Sequence, residues 1–189
     1  MKPVVRLASR SPRRRELLAQ IGIAHDVAAA DVDETPRPGE PPEAFVERIA
    51  REKARAVARS RPGLPVLGAD TAVVLGERIM GKPAGREEAI GMLGELAGRE
   101  HRVLTGVALV SGGTEHYRLS ESRVRFRAIS AAEAEAYWAS GEPADKAGGY
   151  AIQGVAAKFV TGIEGDYTNV MGLPLCRLTL LLRELGVWL

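Results

Sequence analysis

The segment Val66–Leu75, VLGADTAVVL, is apolar almost throughout and is interrupted by Gly68, Asp70 and Thr71. A strand with one wet face alternates polar and apolar residues, whereas an unbroken run reads as a strand covered on both faces. Such a strand requires a central sheet with helices packed against it. Strand-like and helix-like segments do alternate along the chain. Residues 4–8 read as a short apolar strand, after which Ser11 and Pro12 supply an N-cap and a first-turn proline for a helix to about Ile21, closed by Gly22. Residues 43–59 carry Phe45, Val46, Ile49, Ala50, Ala54 and Val57 on one helical face, and residues 87–97 are helical by spacing. Residues 102–110 and 115–121 form a hairpin through Ser111, Gly112 and Gly113, and the alternation in residues 123–127 extends the strand pattern. Ser130 and Glu133 make a capping box for a helix to about Ser140, and a last helix spans residues 174–185, ended by Gly186. Because the hairpin is antiparallel, the expected fold is α/β with a mixed twisted sheet and flanking helices. With 189 residues, 46% of them hydrophobic, the chain can bury a sizeable core as one domain over residues 1–189.

Charge and composition narrow the possible partners. Lys and Arg number 26 against 24 acidic residues, a formal charge of +2, too small an excess to point to nucleic acid. Residues 1–15 do concentrate cations, at Lys2, Arg6, Arg10, Arg13, Arg14 and Arg15, before the first acid at Glu16. No apolar signal segment follows them, since Gln20, His25 and Asp26 interrupt the sequence, so a cytoplasmic location is expected. The apolar residues 170–182 are broken by Arg177 and too short for a bilayer, so no membrane role is expected. The single cysteine, Cys176, excludes an intramolecular disulfide and reads as a packed thiol. Three scattered histidines argue against zinc.

Against this background a few residues break local rules. Ser9-Arg10-Ser11-Pro12-Arg13-Arg14-Arg15 falls at a strand-to-helix turn. A helix N-terminus already presents unpaired N–H groups and positive dipole, so each exposed cation there costs about 0.3–1 kcal/mol unless an anion binds. A phosphate reverses the sign, because backbone donors, serine hydroxyls and guanidinium groups converge on it, so the segment reads as an anion site or as a solvated basic surface turn. Arg14 lies on the same side as Leu17, Leu18 and Ile21 and is expected to reach inward. Lys53 shares the apolar stripe of the second helix and reads as a phosphate ligand or as a lysine at the edge of the core. Lys82, in Gly81-Lys82-Pro83, is a phosphate ligand or an ordinary turn residue. Asp70, an ionisable group within a buried strand, must be satisfied by partners or serve to hold a metal or activate water. Asp31, Asp33 and Glu34 form an ordinary acidic loop or add carboxylates that suit magnesium or manganese.

Together these segments closely resemble the Maf family of nucleotide pyrophosphatases. The resemblance rests on LASRSPRRRELL at 7–18, Asp33-Glu34, Lys53, GADT at 68–71 and GKP at 81–83, and continues through HRVLTGVAL from His101, DKAGGYAIQG at 145–154 and GDYTNVMGLPL at 165–175. It implies two lobes around a central cleft, a homodimer, and hydrolysis of a nucleoside triphosphate to the monophosphate and pyrophosphate with a divalent cation, Mg²⁺ or Mn²⁺. By resemblance Asp70 is the proton acceptor, and Arg13, Thr71 and Gln153 shape substrate choice. The surroundings of Gln153 resemble the branch acting on dTTP and UTP, with modified pyrimidine triphosphates left open. Ser9, Arg13, Arg14, Lys53 and Lys82 would neutralise the triphosphate, and Asp70 with Glu34 would hold the metal. The same resemblance admits a second role, a nucleotide-binding regulator of septum formation or cell division that has no need of Asp70.

Overall fold

The computed structural model describes residues 2–187. Its strands are β1 (Val5–Leu7), β2 (His25–Val27), β3 (Val66–Leu75), β4 (Arg78–Met80), β5 (Glu100–Ser111), β6 (Thr114–Phe126) and β7 (Val160–Glu164). The helices are α1 (Pro12–Gln20), α2 (Pro42–Ser60), α3 (Arg86–Leu96), α4 (Ala131–Ala139), α5 (Tyr167–Met171) and α6 (Leu175–Glu184), with single 3₁₀ segments at Glu142–Asp145, Ala147–Gly149 and Val155–Phe159. The strands form one seven-stranded mixed sheet in the order β2-β1-β3-β5-β6-β7, with β4 also paired to β3. β1 runs parallel to β2 and β3, and every other pairing is antiparallel.

β3 is covered on both faces, as its composition requires. On one face Ala50, Ala54 and Val57 of α2 meet Val66 and Ala108, while Phe45, Val46 and Ile49 meet Ala72, Val74 and Leu104. On the other, α1 and α6 pack on Leu67, Ala69, Val107 and Leu109, and α3, α4 and the 3₁₀ segments pack on Val73, Val103, Val124 and Phe126. α2 lies unusually close to the sheet. A Cβ at Gly68 would fall 2.2 Å from the Ala50 carbonyl oxygen, and one at Gly106 would fall 2.7 Å from that of Val46, so only glycine permits the contact.

The longer expected elements are present. β5 and β6 turn through Gly112 and Gly113, both at positive φ (57° and 83°), and β6 continues without a break to Phe126. The capping box at Ser130 and Glu133 opens α4. Ser11 holds the N-cap position of α1, but its side chain makes no capping bond. The short elements β2, β4, β7 and α5 are additions, since three to five residues carry too little periodicity to stand out. Cys176 is a correction: its thiol is exposed, because the buried stripe of α6 is Leu175, Leu178, Leu181 and Leu182, and the next residue along points outward. Among the described residues no helix is long and apolar enough to cross a membrane.

The close approach of α2 gives a stability test. Gly68→Ala forces a methyl into the Ala50 backbone and should destabilise the fold by about 2–3 kcal/mol in urea unfolding. Gly94→Ala, at an open and exposed position within α3, should stabilise it by about 0.5–1 kcal/mol. A neutral Gly68→Ala would show that α2 sits further from the sheet.

Candidate active site

Strand lengths create the cleft. β5 pairs with β3 along residues 66–74, whereas the opposite edge of β3 is paired by β1 only at residues 66–67 and by β4 only at residues 73–75. Residues 68–72 are left without a strand partner on that edge. β1 ends at Leu7 and the chain leaves into α1 on one face of the sheet, while α2 returns on the other face to place β3 beside β1. Open α/β sheets bind ligands beyond the carboxyl end of a strand where the connections diverge in this way. The cleft here has a volume of about 670 Å³, in the usual range for small-molecule sites. Its lining includes the cations Arg10, Arg13, Arg14, Lys53, Lys82 and Lys146 against the acids Asp31, Glu34, Asp70 and Asp145, six against four, so it favours a polyanion.

Asp70 points from the open edge toward α2. Lys53 Nζ lies 2.8 Å from Asp70 Oδ1 and 2.9 Å from Glu34 Oε1, and Lys82 Nζ lies 3.7 Å from Glu34 Oε2. Lys53 and Asp70 are both buried, so the lysine is held as a counter-ion and does not snorkel to water as a lysine at the edge of the core would. Burial pushes the Asp70 carboxyl above its ordinary value, Lys53 and Arg14 oppose the rise, and Glu34 adds to it. Burial pushes Glu34 in the same direction, but Lys53, Lys82 and Arg14 outweigh it and hold that carboxyl below the usual range. Asp31 and Glu34 line the cleft. Asp33 is exposed and accepts a bond from the Thr35 amide.

Arg14 reaches inward on the other face of β3 and is buried, while Arg15 is exposed on the outside of α1. Its guanidinium donates from Nε to the Gly172 carbonyl (2.8 Å), from Nη1 to Ser9 Oγ (3.2 Å) and from Nη2 to Thr71 Oγ1 (3.0 Å). Three of the five N–H groups of an arginine are then used within the protein. Thr105 donates its proton to the Asn169 carbonyl (3.0 Å), so the 3.0 Å contact between Thr71 and Thr105 has Thr71 as donor. Thr71 therefore reaches the cleft wall with its only hydroxyl proton already committed. Asn169 is fully buried and donates to the Val103 carbonyl and Ser122 Oγ, both at 2.9 Å. Ser9 accepts from the Ser11 amide and from Arg14, which leaves its own O–H free for an anion.

Arg13 and Gln153 also line the cleft, and neither side chain makes a hydrogen bond among the described residues. Burial lowers the Arg13 guanidinium from its usual value, with Asp145, Glu16 and Glu142 opposing. The sequence-derived set Ser9, Arg13, Arg14, Glu34, Lys53, Asp70, Thr71, Lys82 and Gln153 thus surrounds one cavity. Sequence reasoning missed Thr105 and Asn169, which hold Arg14 and Thr71 in place. The available signal was the cap-like Asp166-Tyr167-Thr168-Asn169, whose aspartate accepts from the Thr168 and Asn169 amides. Among the described residues no group of three or more His, Cys, Asp or Glu could hold a metal, and the cation that Glu34 and Asp70 share is the Lys53 ammonium.

A mixed sheet with a cationic cleft at its connection switch, walled by a strand-to-helix turn, defines an α/β protein built to receive a polyanionic small molecule. The chain belongs to the Maf-like protein family, whose model matches residues 4–185. It is 55% identical to the dTTP/UTP pyrophosphatase of Alkalilimnicola ehrlichii, covering 98% of this chain and 95% of that protein. It is also 55% identical to the dTTP/UTP pyrophosphatase of Myxococcus xanthus, covering 96% and 92%. Among solved structures the Staphylococcus aureus Ham1 protein is similar at 15% identity and a TM-score of 0.44, covering 65% of this chain and 70% of that one.

Lys53→Met should move the Asp70 titration midpoint further up, because the nearest opposing charge is removed. Carboxyl-carbon NMR titration of the free protein reads this directly. A carboxyl whose folded pKa lies above its unfolded value holds more protons when folded, so stability falls as pH rises through that window, and the variant's deficit should widen over the same interval. An unmoved Asp70 midpoint would show that Lys53 is not its counter-ion.

Proposed function

We propose that this protein is a nucleoside triphosphate pyrophosphatase that hydrolyses dTTP and UTP to the monophosphate and pyrophosphate. The observation that carries the reading is the single cavity in which the buried Asp70, the anion-seeking turn Ser9–Arg14 and the free amide of Gln153 meet. The names of relatives at 55% identity over nearly their whole length support the same substrates.

In this mechanism the triphosphate lies between Arg13 and Arg14 on one wall of the cleft and Lys53 and Lys82 on the other, with the Ser9 hydroxyl and the amide end of α1 as further donors. Water attacks the α-phosphorus in line with the bridging oxygen to the β-phosphorus. An oxygen–phosphorus bond forms to the water, the bridging bond breaks, and pyrophosphate leaves with the electron pair. Asp70 takes the water proton, a task suited to a carboxyl whose basicity burial has raised. The cations hold the charge of the leaving group, and Lys53, 2.8 Å from Asp70, opposes the rise that burial imposes on its carboxyl.

A divalent cation fits this donor set. Hard carboxylate oxygens at Glu34 and Asp70 suit Mg²⁺ or Mn²⁺, and two carboxylates suffice where phosphate oxygens and water complete the shell. When bound, the ion would supply charge neutralisation at the phosphates. A role of Asp70 as base leaves Glu34 the more available ligand. A homodimer and a cytoplasmic location belong to the same reading, and light scattering on the purified protein tests the first.

Two outcomes check the proposal. With dTTP and Mg²⁺ the first products should be dTMP and pyrophosphate, and Asp70→Asn should lower kcat by about a hundredfold or more while leaving the melting temperature within a few degrees. Initial release of diphosphate and orthophosphate, or near-normal activity in Asp70→Asn, would overturn the mechanism. The second outcome concerns the base. An amide can accept from N3–H of uracil or thymine while donating to an adjacent carbonyl, so Gln153→Ala should narrow the preference for dTTP and UTP over CTP, GTP and ATP. An unchanged ranking of kcat/KM across the five would remove Gln153 from base recognition.

A further inference from the structure

Gln153 is exposed at the cleft, and its side chain is held by no hydrogen bond among the described residues. An amide that swings freely reads a base poorly, because its flipped form serves cytosine as well as thymine. What fixes its direction must therefore be the backbone that carries it.

That backbone is gripped on both sides of Gln153. Tyr137 of α4 is fully buried, with its ring edge-on to Phe159 at 5.6 Å. Its hydroxyl donates to Glu142 Oε1 (2.6 Å) and accepts from the Ala151 amide (3.1 Å). The Glu142 carboxylate in turn accepts from the Val155 amide (3.0 Å) and the Ala156 amide (3.3 Å). One phenol and one carboxylate thus hold amides at 151, 155 and 156, with Gln153 between them. Gly154 completes the grip: a Cβ there would lie 2.0 Å from Glu142 Oε2, so the carboxylate rests directly on the chain. Burial pushes Glu142 up, but its bonds from Tyr137 and the two amides hold it below the ordinary carboxylate value, so it accepts as an anion at neutral pH.

We infer that Tyr137 and Glu142 are positioning residues that set base discrimination by clamping the turn on which Gln153 is presented. The inference rests on the reading that Gln153 contacts the base, and it assigns to the clamp the orientation that Gln153 alone lacks. Neither residue touches the substrate.

Tyr137→Phe tests it without altering charge or ring packing. The ratio of kcat/KM for dTTP to that for CTP should fall about three- to tenfold, the effect of losing one or two buried hydrogen bonds, while kcat for dTTP changes less than about twofold. Gly154→Ala, which displaces the Glu142 carboxylate by a separate route, should lower the same ratio, and the double variant should lose little more than the larger single loss. A uniform drop for dTTP and CTP in both variants would mean a merely structural role and would overturn the inference. So would an unchanged ratio in both variants beside a lowered ratio in Gln153→Ala, and in that case the base-reading role would stand. An unchanged ratio in Gln153→Ala itself would overturn both.

Discussion

The site depends on one ion pair placed inside a helix–sheet contact. A carboxylate moved from water into such an interface loses several kcal/mol of hydration and is tolerated only beside a cation. Lys53 Nζ meets Asp70 at 2.8 Å because α2 lies almost in contact with the backbone of β3, and it lies there because residues 68 and 106 have no side chain. The apolar residues on either side of Lys53, Ala50, Ala54 and Val57, anchor the helix on the sheet. The core that stabilises the fold is therefore also the device that holds a lysine–carboxyl pair at the floor of a cleft.

A second polar system crosses the opposite face of the sheet. Arg14, Thr71, Thr105 and Asn169 are joined in a hydrogen-bonded chain with a single direction of donation, and Asn169 ties it to the Val103 carbonyl and to Ser122. Asp166 caps α5, and Gly172 at its end supplies the carbonyl for Arg14 Nε. The segment 166–172 thereby acts on the cleft while touching it only at its margin. Three of its polar residues are used in this way: Asp166 accepts from the Thr168 and Asn169 amides, Thr168 Oγ1 accepts from the Leu175 amide, and Asn169 donates to buried partners.

The two systems divide the labour. On the α2 face, charge is concentrated and the Asp70 carboxyl is made more basic by burial. On the α1 face, neutral hydroxyls and carbonyls hold an arginine in a set orientation, and the unpaired edge at residues 68–72 lets both faces open into one cavity. The wall bearing Gln153 is fastened separately, through Tyr137 and Glu142, so that wall and the cationic walls rest on different supports.

Much of this was legible along the chain. The uninterrupted apolar run Val66–Leu75 implied a doubly covered strand and the stripe of α2 implied its packing face, because each is a local pattern with a local physical cost. Arg14 and Lys53 stood out by falling on apolar faces, and both are buried. What the sequence could not contain was distance. Nothing local joins Lys53 to Glu34 and Asp70, Arg14 to Gly172 across 158 residues, or Tyr137 to the amide of residue 151. The outward turn of Cys176 was likewise beyond a pattern that counts apolar neighbours without knowing which face is covered. Residue types and periodicity determined the elements and the chemistry available, and strand order, the early end of β1 and the close seat of α2 decided which of those groups share a cavity, since only packing in three dimensions sets the separations on which hydrogen bonds and charge interactions depend.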